Sequence, residues 1–194
     1  MQAEKQTGRT RLRKFGLLTG TALFFFAALI PDAGTTIDPV AQRQASMRAM
    51  AESVRTLAWM FEGRLAYGRE KAVAAAKAIR DLSGERLSSE FSGATLGAPS
   101  RAKAAIAQDS NEFAALATHL QDVAAAFEQA AAAGPTNITA AMRMGSGGAM
   151  DNPLLGKRQS AAQPDLSKVP MEHLLHLMMA DCGSCHARFR ANEE

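Results

Sequence analysis

Aromatic residues make up only 6% of this 194-residue chain, with one tryptophan and one tyrosine. Runs of β-branched residues are scarce too, and no stretch alternates apolar with polar residues as a half-buried strand would. A sheet-based fold is thereby excluded. Alanine is abundant instead, and alanine is the best helix former. An excess of one charge is also missing once the N-terminus is set aside. The formal net charge is +3, but five of the 22 basic and two of the 19 acidic residues precede Gly34, leaving 17 of each. A neutral body removes the support for a nucleic-acid partner. Long apolar runs are reduced to one, Phe15 to Ile30, shorter than the roughly 18–20 residues of a membrane span.

That run follows Arg9, Arg11, Arg13 and Lys14 and ends at Pro31-Asp32-Ala33-Gly34. Residues 1–33 therefore read as a signal peptide or, since no clean A-x-A site follows, as an uncleaved N-terminal membrane anchor. In both cases the arginines stay on the cytoplasmic side and the body is exported. The expected location is the periplasm, with inner-membrane anchoring as the variant.

Cysteine is nearly absent as well. Both cysteines lie in Cys182-Gly183-Ser184-Cys185-His186, the C-x-x-C-H spacing of covalent haem attachment. Two thiols at this spacing match two vinyl groups on one porphyrin edge. On a helix, Cys182, Cys185 and His186 stand at i, i+3 and i+4 and share a side. The His186 imidazole would then be the proximal iron ligand. A thioredoxin-like dithiol would need a βαβ pattern, which is missing. A structural zinc site would have to draw His173 and His176 from the same helix, whereas such sites usually join separate elements. A disulfide between adjacent turns would gain little.

From Asp38-Pro39 a first helix is expected, with Asp as N-cap and Pro at the first position. Val40, Met47, Met50, Val54, Leu57 and Phe61 form its seam. Continued backwards, the seam places Arg43 facing the core, where a guanidinium needs an anion or a route to water. Snorkelling at the bundle end is the simpler reading, and haem propionates are the alternative. A second helix is expected from about Arg69 to Leu82. A third runs from about Ser100 to Ala133, with Ile106, Phe113, Leu120 and Phe127 every seven residues and Leu116 and Val123 between them. Residues 134–168 lose this periodicity and read as a flexible Gly/Met-rich insertion, with one helical turn around Ile138–Met144. Met142, Met144 and Met150 are read there as adaptable packing rather than as metal ligands. A last helix opens near Pro170 with Met171, Leu174, Met178, Cys182, Cys185 and Phe189 on one face. Four such stripes imply an all-α antiparallel four-helix bundle over 38–194. His119, His173 and His176 are read as partly exposed histidines.

On these features the chain resembles the cytochromes c′ and their low-spin relatives, the class II c-type cytochromes. The residues that carry the resemblance are Arg43-Gln44 with Met47, Phe113, and Cys182 to His186 followed by Phe189 and Arg190. It implies a haem-binding four-helix bundle with one haem c, covalent through Cys182 and Cys185, and iron held by His186. It further implies that Met47 faces the distal side of the iron, that Arg43 and Gln44 lie near the propionates, and that Arg190 lies near the proximal histidine. The insertion before the last helix departs from the short turn usual in the family. The expected function is a periplasmic monohaem electron carrier with Met47 as distal ligand, serving redox partner proteins. The alternative is a five-coordinate protein binding nitric oxide or carbon monoxide, with Met47 only shielding the iron. No distal histidine–arginine pair lies on a seam, so an enzyme is not expected. The sequence leaves the oligomeric state open; the resemblance adds a homodimer through the first two helices, as many relatives form, as one candidate assembly.

Overall fold

The computed structural model describes residues 38–91, 93–145 and 165–192. The leader, its cleavage or anchoring, and the insertion residues 146–164 with Met150 lie outside the described residues. Among these residues six α-helices follow in order: α1 (Pro39–Phe61), α2 (Arg69–Leu82), α3 (Gly84–Ser89), α4 (Ala105–Gln108), α5 (Ser110–Ala133) and α6 (Met171–Phe189). Among the described residues there is no strand, only a single antiparallel bridge between Ala102 and Arg190.

Local chemistry sets the helix starts. The Asp38 carboxylate accepts from the Val40 N–H at 2.9 Å, and Pro39 takes the first position, where its missing N–H costs nothing. The α2–α3 corner is sharper. Gly84 has φ +64°, and a Cβ there would meet the Gln121 side-chain amide, so glycine answers both the backbone and the close approach.

The four long helices form the bundle. α1 packs on α2, α2 on α5, α5 on α6, and α6 returns to α1, the loosest of the four seams. The stripes read from the sequence for three of the helices supply the core: Met50, Leu57 and Phe61 from α1, Phe113, Leu120, Val123 and Phe127 from α5, and Leu174 and Met178 from α6 are all buried, joined by Ala76 and Ile79 from α2. Alanines Ala72, Ala75 and Ala76 of α2 and Ala117 and Ala124 of α5 are buried, and side chains that small let packed helices approach closely.

Two expectations need correction. The third helix does not begin at Ser100. Residues 100–103 are not helical, and only the short α4 precedes α5, because the Lys103 N–H donates to the Phe189 carbonyl at 2.9 Å and the Ala191 N–H to the Arg101 carbonyl at 2.8 Å. Pairing with the end of α6 takes the place of helical bonding there. Nor does Arg43 snorkel: it is 3% exposed. The turn near Ile138–Met144 is present as a 3-10 turn over Ala140–Met142. Met142 is buried, and its neighbour Arg143 pairs with Glu172 in the first turn of α6 at 3.1 Å. Fourteen residues of helix, about 21 Å, separate Glu172 from His186. Met142 thus fills the bundle end remote from His186, while Met144 is 48% exposed.

Candidate haem site

A cavity of about 530 Å³ opens at the loose seam between α1 and α6. Gln44, Met47 and Arg48 line it from α1, Cys185, His186 and Phe189 from α6. Phe91, Pro99 to Ala102 and Ile106 form a third wall. Phe113 closes the back, stacked edge-on with Phe91 at 5.0 Å and with Phe189 at 5.3 Å between ring centroids. Cavities of some 300–1,000 Å³ are the size of cofactor sites, and this one is walled largely by apolar side chains.

Cys185, His186, Met47, Arg43, Gln44 and Arg190 all line this one space. Cys182 does not; it lies half-buried one turn earlier, packed against the core. Both cysteines are free thiols. Burial, with the nearby Cys182 and Asp181, pushes the Cys185 thiol up to about 11, and burial with the Asp181 charge raises Cys182. They are therefore protonated at neutral pH, opposite to the low-pKa thiolate of a redox dithiol. Burial, helped by the Arg190 charge, lowers the His186 pKa. The imidazole is then neutral near pH 7, the form that ligates a metal. This donor set and cavity fit a haem: two thiols and an imidazole on α6, and a thioether on α1.

His119 is not at the cavity. Its Nδ1 lies 2.8 Å from Oδ2 of Asp181, joining α5 to α6 just ahead of Cys182, and burial raises the Asp181 pKa. His173 and His176 are exposed. Sequence reasoning missed the third wall, Pro99 to Ala102 with Ile106, and it missed Arg48. A signal for Arg48 existed, since it follows Gln44 by four positions on one helix face.

A four-helix bundle with C-x-x-C-H on its last helix and a cavity beside it is the architecture of a c-type haem protein. The family model described as cytochrome c′ matches residues 38–147, more than half of the chain. The chain belongs to the cytochrome c′ family. Solved structures agree on the fold. Cytochrome c′ from Rhodopseudomonas palustris is 21% identical, with a TM-score of 0.56 over 81% of this chain and 98% of that one. The protein from Shewanella frigidimarina is 19% identical, with a TM-score of 0.56 over 80% and 98%. A mutant of the cytochrome c′ from Alcaligenes xylosoxidans, in complex with nitric oxide, is 20% identical, with a TM-score of 0.56 over 80% and 95%. Among curated proteins no relative matches. The cofactor is covalent haem c with its iron, and the family is one of haem electron carriers and gas binders. The family is periplasmic, and among the described residues no helix is long and apolar enough to cross a membrane.

Proposed function

We propose that the protein is a periplasmic monohaem electron carrier, exported by residues 1–33, with the bundle over 38–194 as its haem domain. The reading rests on one observation: Met47 of α1 and His186 of α6 line the same cavity. Haem c supplies a one-electron ferric/ferrous couple when bound. The residues do the rest. Cys182 and Cys185 tether the group, and neutral His186 serves as the proximal ligand. Met47 offers a distal thioether, which raises the reduction potential. Phe113, Phe189 and Ile106 keep water from the cavity floor, and the low polarity of such walls disfavours the more highly charged ferric form. Gln44 and Arg190 stand at the rim. The partners are periplasmic redox proteins. A homodimer through α1 and α2 is the assembly we favour; one structural relative is described as a cytochrome c′ with ligand-controlled dimer dissociation.

The test is a visible spectrum of export-matured protein, ferric and ferrous, with and without carbon monoxide. A low-spin spectrum with a far-red methionine–iron band, lost in Met47→Ala, is expected. A high-spin ferric spectrum, with ready carbon monoxide binding to the ferrous form, would instead make Met47 a shield and the protein a gas binder.

A further inference from the structure

Two polar side chains bridge α5 and α6 beside the attachment motif without reaching the cavity. His119 Nδ1 of α5 lies 2.8 Å from Asp181 Oδ2 of α6, and neither residue lines the space shared by Met47, Cys185 and His186. The carboxylate is the more enclosed partner, its side chain 14% exposed against 36% for the imidazole. The ring therefore keeps an edge in water for proton exchange, while the carboxylate it faces is held inside the seam. A carboxylate–imidazole pair so placed titrates as a unit. It carries no net charge when the ring is protonated and one negative charge when the ring is neutral.

Asp181 directly precedes Cys182, the first tether. Its negative charge is among the causes that raise the thiol pKa at both Cys182 and Cys185. A group bonded to those two sulfurs stands in the same field. The Asp181 carboxyl itself responds to burial, which raises its pKa, and to His119, which lowers it. Other charges on the packed elements have partners of their own or face water. Arg188 of α6 pairs with Asp109 and with Glu112 of α5, and Lys168, in the turn packed on α5, pairs with Asp165. Arg80 of α2 pairs with Glu128 of α5, and Arg86 of α3 with Glu90. Asp122 of α5, His176 of α6, and Arg48, Glu52 and Arg55 of α1 are exposed.

Resting on the haem reading above, we propose that His119 is a positioning residue for the redox centre: through Asp181 it fixes α6 ahead of the first tether, and it takes up a proton as the iron is reduced. The electron comes from the redox partner and the proton from water at the exposed ring edge, so the net charge of the centre is unchanged. Loss of a positive charge nearby favours the imidazolium. By linkage the neutral ring favours the ferric state, and the potential falls as pH rises.

The experiment is the midpoint potential of export-matured holoprotein against pH, in wild type, His119→Gln and Asp181→Asn. The His119 ring is followed by NMR in ferric and ferrous wild type and in Asp181→Asn. The wild-type potential is expected to fall as pH rises through the ring's titration, and the ring to titrate at higher pH in the ferrous protein than in the ferric one. His119→Gln keeps an N–H for Asp181 but no titrating ring, and is expected to lose that fall. Asp181→Asn is expected to move the ring's titration to lower pH. A wild-type ring that titrates at one pH in both oxidation states overturns the proposal, and so does a His119→Gln protein with the wild-type pH profile. Absence of covalent haem from the wild-type pyridine haemochrome would overturn the haem reading itself and this proposal with it.

Discussion

At His186, desolvation and the Arg190 charge both lower the pKa of a ring that still has an exposed edge, which favours the neutral form the proposed iron ligand needs. Replacing it with alanine is expected to abolish the normal holoprotein. An unchanged absorption spectrum in His186→Ala would sink its assignment as proximal ligand. The cysteines make a second prediction. A thiol at about 11 carries very little thiolate at pH 8. In haem-free chain carrying Cys182→Ser, which removes the Cys182 charge but keeps the burial, alkylation of Cys185 by iodoacetamide is expected to run slower at pH 8 than that of an ordinary thiol. Its rate should still be climbing past pH 10. A plateau near pH 9 would mean that the thiol is not desolvated as described.

Among the elements, α1 was legible in the sequence because its signals are local. Asp38-Pro39 caps itself, and the spacing from Met47 to Phe61 is an internal property of one helix. The haem motif was legible for the same reason, being five consecutive residues. The start of α5 was not, because Arg101 and Lys103 bond to the backbone at 189–191 and no nearby residue announces it. The surroundings of Arg43 were equally hidden. Its partners at Glu90, Thr95 and Ser100 lie 47 to 57 residues away. That α1 arginine was recognisable as core-facing, and nothing local identified what it would face. The aromatic set Phe91, Phe113 and Phe189 joins three elements in the same way. Phe113 is its centre and only 3% exposed, so Phe113→Ala is expected to cost about 3–5 kcal/mol in urea unfolding. A loss below about 1 kcal/mol, less than a buried methylene or two is worth, would mean that the stack is not a fixed wall.

For the whole molecule, the family match stops at residue 147, yet α6 still packs against α5 and α1 after the long insertion. The body's charge balance leaves the leader as the basic portion of the chain. Deleting residues 1–33 is expected to leave the protein haem-free in the cytoplasm, whereas the full chain yields covalent haem in the periplasmic or membrane fraction. Haem-stained gels of the fractions decide it. Covalent haem in the deletion product would defeat the reading of residues 1–33 as an export segment.

The bridge between Ala102 and Arg190 closes a loop that contains all of α5 and the insertion. The attachment motif follows α1 to α5 along the chain, so this closure comes late in synthesis. Its two amides, Lys103 and Ala191, bond across the bridge. Their hydrogen-exchange protection therefore reports when the last helix has locked, separately from the protection that α1, α2 and α5 acquire among themselves.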